Sequence, residues 1–103
     1  MRKVAISNSV IGKIGILKSY LVSDLNLSES AAMRRIDRIG EFLSSLSAPV
    51  NYLLCRFKRW CALGYRCAVF EKDWIFAYEV LNGGIIIRDM SHTSVLCASG
   101  RAQ

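Results

Sequence analysis

Apolar residues in the first part of the chain recur every three or four positions after a short alternating start. The stretch 3–7 (KVAIS) alternates apolar and polar residues, as a short strand does. From Ser9 onward the apolar positions take helical spacing, at Val10, Ile14, Leu17, Leu21 and Leu25. This pattern predicts a strand followed by a helix that buries one face.

A second helix is predicted after a break at Asn26 and Leu27. Ser28 can cap its first turn, and Glu29 puts a carboxylate where the helix dipole favours negative charge. Pro49 marks its end. The inward positions of this helix are apolar: Ala32, Ile36, Ile39, Leu43 and Leu46. Because the connection is short, we expect the two helices to form an antiparallel hairpin.

Segments rich in β-branched and aromatic residues replace the helical pattern after Pro49. They are Leu53–Leu63, Tyr65–Glu71, Trp74–Leu81 and Ile85–Ser91, separated by Gly64, Lys72-Asp73 and Asn82-Gly83-Gly84. The predicted order is β-α-α-β-β-β, with an extra strand if Leu53–Leu63 is not partly loop. We therefore expect one α+β domain over residues 1–103, with the helical hairpin packed on one face of an antiparallel sheet.

Two-residue turns at Lys72-Asp73 and Asn82-Gly83 would divide the strand residues between two faces. One face would be apolar and lie under the helices: Cys67, Val69, Phe76, Tyr78, Val80, Ile85 and Ile87. The residues expected to be buried between sheet and helices are Ile14, Leu21, Ile36, Leu43, Val69, Phe76, Tyr78 and Ile87.

The other face would collect most of the ionisable strand residues. It contains Arg66, Ala68, Phe70, Ile75, Ala77, Glu79, Arg88, Met90 and His92, and the preceding strand would add Arg56, Lys58 and Trp60. In this register Arg66 lies opposite Glu79, and His92 lies opposite Asp73; a Gly83-Gly84 turn instead puts Ile75 opposite His92. Such a face is either the solvated side of a half-buried sheet or a surface that binds nucleic acid.

Composition favours a folded, cationic protein. Hydrophobic residues make up 52% of the chain, and 14 Lys and Arg against 8 Asp and Glu give a net charge of +6. This balance attracts polyanions, either nucleic acid or an acidic protein segment. No apolar run reaches the roughly 18–20 residues of a membrane span, and no signal peptide is evident, so we expect a cytoplasmic protein.

The four cysteines, Cys55, Cys61, Cys67 and Cys97, have no C-x-x-C spacing, and His92 is the only histidine. This pattern argues against a zinc site, and we expect neither a metal nor a cofactor. In a reducing cytoplasm, the cysteines are interpreted as small buried hydrophobic residues.

Three short motifs follow one another in the second half of the chain: Gly64-Tyr65-Arg66, then Asp73-Trp74, then Arg88 with His92 four positions later. Between Trp60 and Leu96 this series resembles the RelE/ParE toxins of toxin–antitoxin systems, and most closely the YafQ-like branch with its G-Y-R, D-W and R-x-x-x-H motifs. The resemblance implies a small toxin neutralised by a co-expressed antitoxin. It also implies one of two targets. RelE and YafQ-like toxins cut mRNA in the ribosomal A site, whereas ParE-like toxins inhibit DNA gyrase.

For an mRNA-cutting toxin, the matched positions suggest a site without a metal. The expected catalytic residues are His92, Arg66, Arg88 and Asp73, and the expected RNA contacts are Arg56, Lys58, Trp60, Phe70 and Trp74. The imidazole of His92 would transfer a proton, oriented by the carboxylate of Asp73, and the guanidinium groups would hold the phosphate. The expected partners are mRNA on the ribosome and an antitoxin with an acidic or amphipathic segment.

The sequence departs from the YafQ-like pattern in three ways, one of which is the absence of an imidazole before Gly64-Tyr65-Arg66. Val69 stands where those toxins have an imidazole, and Leu96 stands where they have an aromatic residue. Two alternatives to an mRNA endoribonuclease therefore stay open: a ParE-like gyrase inhibitor, or a catalytically degenerate relative that only binds an antitoxin.

Overall fold

A computed structural model of the chain describes residues 2–48 and 50–93. Its elements are β1 (Lys3–Ile6), α1 (Asn8–Ser23), α2 (Glu29–Ser45), α3 (Lys58–Ala62), β2 (Arg66–Phe70), β3 (Trp74–Leu81) and β4 (Gly84–His92). The predicted α+β class is confirmed. Pro49, the predicted end of the second helix, lies outside the described residues, as do Leu96 and Cys97.

Serine side chains start both long helices. The Ser7 hydroxyl accepts a hydrogen bond from the Val10 N–H at the start of α1, and the Ser28 hydroxyl accepts one from Ala31 N–H at the start of α2. Each bond satisfies a backbone donor that has no partner within the helix. The predicted cap at Ser28 is confirmed, and α1 and α2 pack against each other as expected.

The sheet is mixed, not antiparallel as predicted. Its strand order is β1-β4-β3-β2, and β1 runs parallel to β4 while the other pairs are antiparallel. The reason lies in the long connection between β1 and β4, since parallel neighbours need a crossover and α1 begins that crossover directly after β1.

The extra strand that was left open over Leu53–Leu63 does not form, and the helix found there was not expected. Only Leu54 forms a bridge, to Arg66, and α3 follows. The apolar residues Phe57, Trp60 and Cys61 have the spacing of one helical turn, and the rings of Phe57 and Trp60 are in edge contact, with centroids 6.0 Å apart. A short helix buries Trp60 against the sheet better than an alternating strand would.

Apolar residues cover both faces of the sheet. The main core lies between the sheet and the long helices and includes Val10, Ile39, Leu43, Phe76, Tyr78, Ile85 and Ile87. A second cluster contains Cys55, Trp60, Ile75 and Ala77. Ile75 and Ala77 alternate with Phe76 and Tyr78 along β3, so the second cluster lies on the face away from α1 and α2. The face that was expected to be open is therefore partly buried by α3 and the segment before it.

A disulfide joins Cys55 to Cys67, with a Cα–Cα distance of 4.9 Å. It ties the segment before α3 to β2, beside backbone hydrogen bonds from Cys55 N–H to Tyr65 C=O and from Cys67 N–H to Leu53 C=O. Cys61 is a free thiol and is exposed. The expectation that the cysteines are separate buried residues was therefore wrong for this pair and for Cys61.

The turn between β3 and β4 is the two-residue Asn82-Gly83 turn, with Leu81 opposite Gly84. Gly83 has a φ of 85°, which a glycine adopts without strain. Beyond Tyr78 and Ile87 the pairing shifts, and Ala77 lies opposite Asp89. Arg88 is thus the extra residue of a β-bulge.

The turn between β2 and β3 has three residues instead of the predicted two. Phe70 pairs with Trp74, and Glu71 and Lys72 both have positive φ, at 52° and 66°. The extra residue reverses the face of every β2 side chain. Val69, predicted to be buried, is 50% exposed, and Ala68 takes its place in the core. Of the other residues predicted to be buried, Leu21, Leu43, Phe76, Tyr78 and Ile87 are buried, and Ile14 and Ile36 are half-buried.

Candidate functional site

A groove of about 620 Å³ lies between α1 and the ends of β3 and β4. Its volume falls in the range of small-molecule sites, about 300–1,000 Å³. Side chains from α1 form one wall and strand residues form the other: Lys13, Ile16, Leu17, Tyr20, Trp74, Met90, Ser91 and His92. The only histidine of the chain therefore lies in a largely apolar groove next to an ammonium group, a phenol and an indole.

Strand pairing positions His92 in this groove. His92 lies directly opposite Trp74, and their rings meet edge to face, with centroids 5.1 Å apart and planes at 82°. Without the bulge at Arg88, His92 would lie opposite Asp73, as predicted. The extra residue shifts the end of β4 by one position relative to β3. The indole of Trp74 therefore lies opposite His92, where the carboxylate of Asp73 was expected.

Asp73 contributes to this region through its backbone. Its carbonyl accepts a hydrogen bond from the N–H of Thr93 at 2.8 Å, and the Thr93 hydroxyl donates to the carbonyl of Lys72 at 3.0 Å. The β2–β3 turn thus holds the chain directly after His92. The Asp73 side chain lines a different, smaller cavity with Arg35 and Arg38 of α2.

Lys13 links α1 to β4 at one end of the groove. Its Nζ lies 2.5 Å from Oδ1 of Asp89 and 3.3 Å from the carbonyl of Met90. Asp89 has a side chain only 17% exposed, and its other oxygen lies 3.9 Å from the guanidinium of Arg59 on α3. One carboxylate therefore meets cations from helices on opposite faces of the sheet.

The two arginines expected beside His92 lie elsewhere. Arg88 donates from Nε and Nη2 to Oε1 of Glu79, at 2.9 and 2.8 Å, on the face away from α1. Arg66 lies opposite Tyr78 instead of Glu79, and its Nη1 donates to the carbonyl of Tyr52 at 2.7 Å. Tyr78 is four positions from Trp74 along β3, about 13 Å on an extended strand. The expected catalytic group of four residues is not assembled.

The expected RNA contacts are also dispersed. Arg56 and Lys58 are exposed near the start of α3. Trp60 is buried in the second cluster and cannot stack on a base, and Phe70 packs on the helix side against Phe42, with ring centroids 5.0 Å apart. Only Trp74, half-buried and lining the groove, lies with His92.

Sequence reasoning missed the contribution of α1. Its groove-lining positions, Lys13, Ile16, Leu17 and Tyr20, are spaced at i, i+3, i+4 and i+7 and therefore share one face. The signal was present, because Ile16 and Tyr20 fall outside the apolar stripe that is predicted to form the buried face of this helix. An apolar and an aromatic residue at such positions indicate a second face that meets something other than the core.

Comparisons of this chain with protein-family models, with curated proteins and with solved structures gave no match.

Among residues 2–48 and 50–93, no helix is both long and apolar enough to cross a membrane. In the same ranges, no three His, Cys, Asp or Glu side chains lie together in a group able to hold a metal ion.

Proposed function

We propose that this protein is the toxin of a toxin–antitoxin pair and cuts mRNA on the ribosome. The observation that carries the proposal is the groove that combines His92, Trp74, Lys13 and Tyr20. An imidazole exchanges protons near neutral pH, an ammonium attracts phosphate, and aromatic rings stack on unpaired bases. Groups of these kinds take part in cleavage of single-stranded RNA.

The reaction is attack by a ribose 2′-OH on its own 3′ phosphate. A bond forms between the 2′ oxygen and phosphorus while the bond to the 5′ oxygen of the next nucleotide breaks. A base takes the 2′ proton, and the 5′ oxygen receives a proton, which leaves a 2′,3′-cyclic phosphate and a 5′-OH. His92 supplies one of these proton transfers.

We infer dependence on the ribosome because the two arginines expected to hold the phosphate do not lie beside His92. Arg66 and Arg88 make their contacts elsewhere, to Tyr52 and Glu79. Ribosomal RNA and proteins in the decoding site would then hold the substrate in a bent, reactive geometry that the groove does not impose alone.

The proposed partner in the resting state is an antitoxin with an acidic or amphipathic segment. The net charge of +6 favours an acidic partner. Exposed apolar side chains offer buried contact area to such a segment, including Ile11 and Ile16 of α1 and Leu53 and Leu54 before α3.

Inducible expression with parallel assays of mRNA and DNA tests the proposal. We expect growth arrest with mRNA fragments that end within codons, normal DNA supercoiling, and loss of both the arrest and the fragments in His92→Ala. Growth arrest with intact mRNA and gyrase trapped on DNA would overturn it.

A gyrase inhibitor of the ParE type is the second candidate. It is favoured by the intramolecular pairing of Arg88 with Glu79 and by the separation of Arg66 from His92, because a protein that acts by binding alone needs no assembled catalytic group. Absence of toxicity, with an antitoxin still bound, would favour the third possibility of a catalytically degenerate relative.

A further inference from the structure

The outer face of α1 exposes more apolar surface than its position in the fold requires. Ile16 is 71% exposed and Tyr20 is 47% exposed, and both line the groove that contains His92. Scattered single apolar residues on a surface are ordinary, but adjacent ones on the wall of a groove indicate a binding site.

The groove is built for a flat ring with an anionic group attached. Tyr20 on the helix and Trp74 on the sheet supply aromatic surface, and Ile16, Leu17 and Met90 supply apolar contacts. Its polar side chains include Lys13, Ser91 and His92. Aromatic walls with a few convergent polar groups suit a nucleobase and its phosphate.

Charge at the groove favours an anion. The residues of α1 include Lys13 and Lys18 and no Asp or Glu. The carboxylate of Asp89 is already engaged by Lys13 and approached by Arg59. A lysine ammonium has three donors, and two of those of Lys13 go to Asp89 and the Met90 carbonyl. Its side chain is 46% exposed, so the third donor is available to a phosphate oxygen.

We propose that α1 forms the base-binding wall of the RNA site, with Tyr20 stacking on an unpaired base and Lys13 contacting the adjoining phosphate. This inference rests on the proposed function and names the residues that hold its substrate. The base then lies against the helix while its phosphate lies towards His92. Lys13 and Tyr20 lie on the same face of α1, two helical turns apart, because seven positions separate them in the sequence. This spacing lets one contact the phosphate while the other stacks on the base.

Binding of a six-nucleotide single-stranded RNA, fluorescein-labelled and carrying 2′-O-methyl groups that prevent cleavage, tests the inference by fluorescence anisotropy. We expect Tyr20→Leu to weaken binding about tenfold, in line with the loss of one stacked base, and Tyr20→Phe to bind as wild type. The matched control is Tyr52→Leu, since Tyr52 is an exposed tyrosine outside the groove. An abasic hexamer with the same phosphates should bind wild type and Tyr20→Leu equally.

Salt dependence tests the phosphate contact separately. Lys13→Gln should lower the slope of log affinity against log salt by about 0.7, the value for one contact to single-stranded nucleic acid, while Lys13→Arg keeps it. Lys3→Gln, an exposed lysine on β1, should leave the slope unchanged.

Equal binding of the RNA by Tyr20→Leu and wild type would overturn the inference, even if wild type cuts mRNA in cells. The opposite result is also informative. If RNA binding depends on Tyr20 but the protein leaves cellular mRNA intact, the base-binding wall is supported and the proposed cleavage is overturned. Circular dichroism melts of every variant separate these results from loss of folding.

Discussion

His92 lies opposite Trp74 because Arg88 is inserted as an extra residue in β4. The bulge therefore decides which side chain borders the imidazole. The indole of Trp74 meets the imidazole edge to face, with centroids 5.1 Å apart, at the position expected for a carboxylate. His92 therefore lines the same groove as the residues of α1.

Replacing His92 by alanine should abolish RNA cleavage and leave the fold intact. We expect cleavage to fall at least about 100-fold, since one general acid or base contributes that much or more. The lost ring contact with Trp74 is worth about 0.5–1.5 kcal/mol, so the melting temperature should fall by only a few degrees. Cleavage is measured by primer extension on a reporter mRNA, with Val69→Ala as a control on the exposed face of β2. Full cleavage by His92→Ala would exclude His92 from catalysis.

Replacing Arg88 by alanine should leave mRNA cleavage unchanged, because its guanidinium pairs with Glu79 on the face away from the groove. Both partners of this pair are partly exposed, so we expect a double-mutant cycle of Arg88→Ala and Glu79→Ala to give a coupling of only about 0.2–1 kcal/mol. Urea titrations at two salt concentrations measure it, and the coupling should shrink at the higher one. A large loss of cleavage in Arg88→Ala with unchanged stability would mean that Arg88 acts on the substrate.

Gly84→Ala should destabilise the protein by about 1–3 kcal/mol through overpacking. A Cβ at this position would lie 2.7 Å from the carbonyl oxygen of Lys3, so β1 must move away from β4. Gly40→Ala is the matched control, since its Cβ meets nothing within 4 Å in the exposed interior of α2. That variant should be about 1 kcal/mol more stable than wild type, because alanine favours the helix. Chemical denaturation of the two variants should thus give shifts of opposite sign.

Cys67→Ser should lower the free energy of unfolding by about 2–4 kcal/mol when wild type is oxidised, because the disulfide to Cys55 closes a loop in the unfolded chain. Cys61→Ser should have little effect, since that thiol is free and exposed. With reductant present, wild type and Cys67→Ser should converge. A wild-type denaturation midpoint that is insensitive to reductant would contradict this stabilising role.

Local sequence patterns predicted the features that depend on neighbouring residues. The cap at Ser28, the apolar faces of the long helices and the Asn82-Gly83 turn follow from interactions within a few positions. The α3 helix was missed because Cys55 to Lys58 alternates apolar and polar residues as a strand does, and the helical spacing of Phe57, Trp60 and Cys61 covers only one turn.

The register of the sheet was not predictable in the same way. One additional residue in the β2–β3 turn exchanged the faces of Arg66, Val69 and Phe70, and one at Arg88 moved His92 away from Asp73. Each of these two changes shifts the strand register by one residue. The free energy of such a shift depends on side-chain packing across the whole sheet. The candidate site changed accordingly, from an open strand face to a groove beside α1.

Asp89 gives the two faces of the sheet a common electrostatic contact. Lys13 reaches its carboxylate from α1 and Arg59 approaches it from α3. The two helices thus share a single negative charge. A substitution of Asp89 would therefore alter the electrostatic surroundings of α1 and α3 at once, although the two helices lie on opposite faces of the sheet.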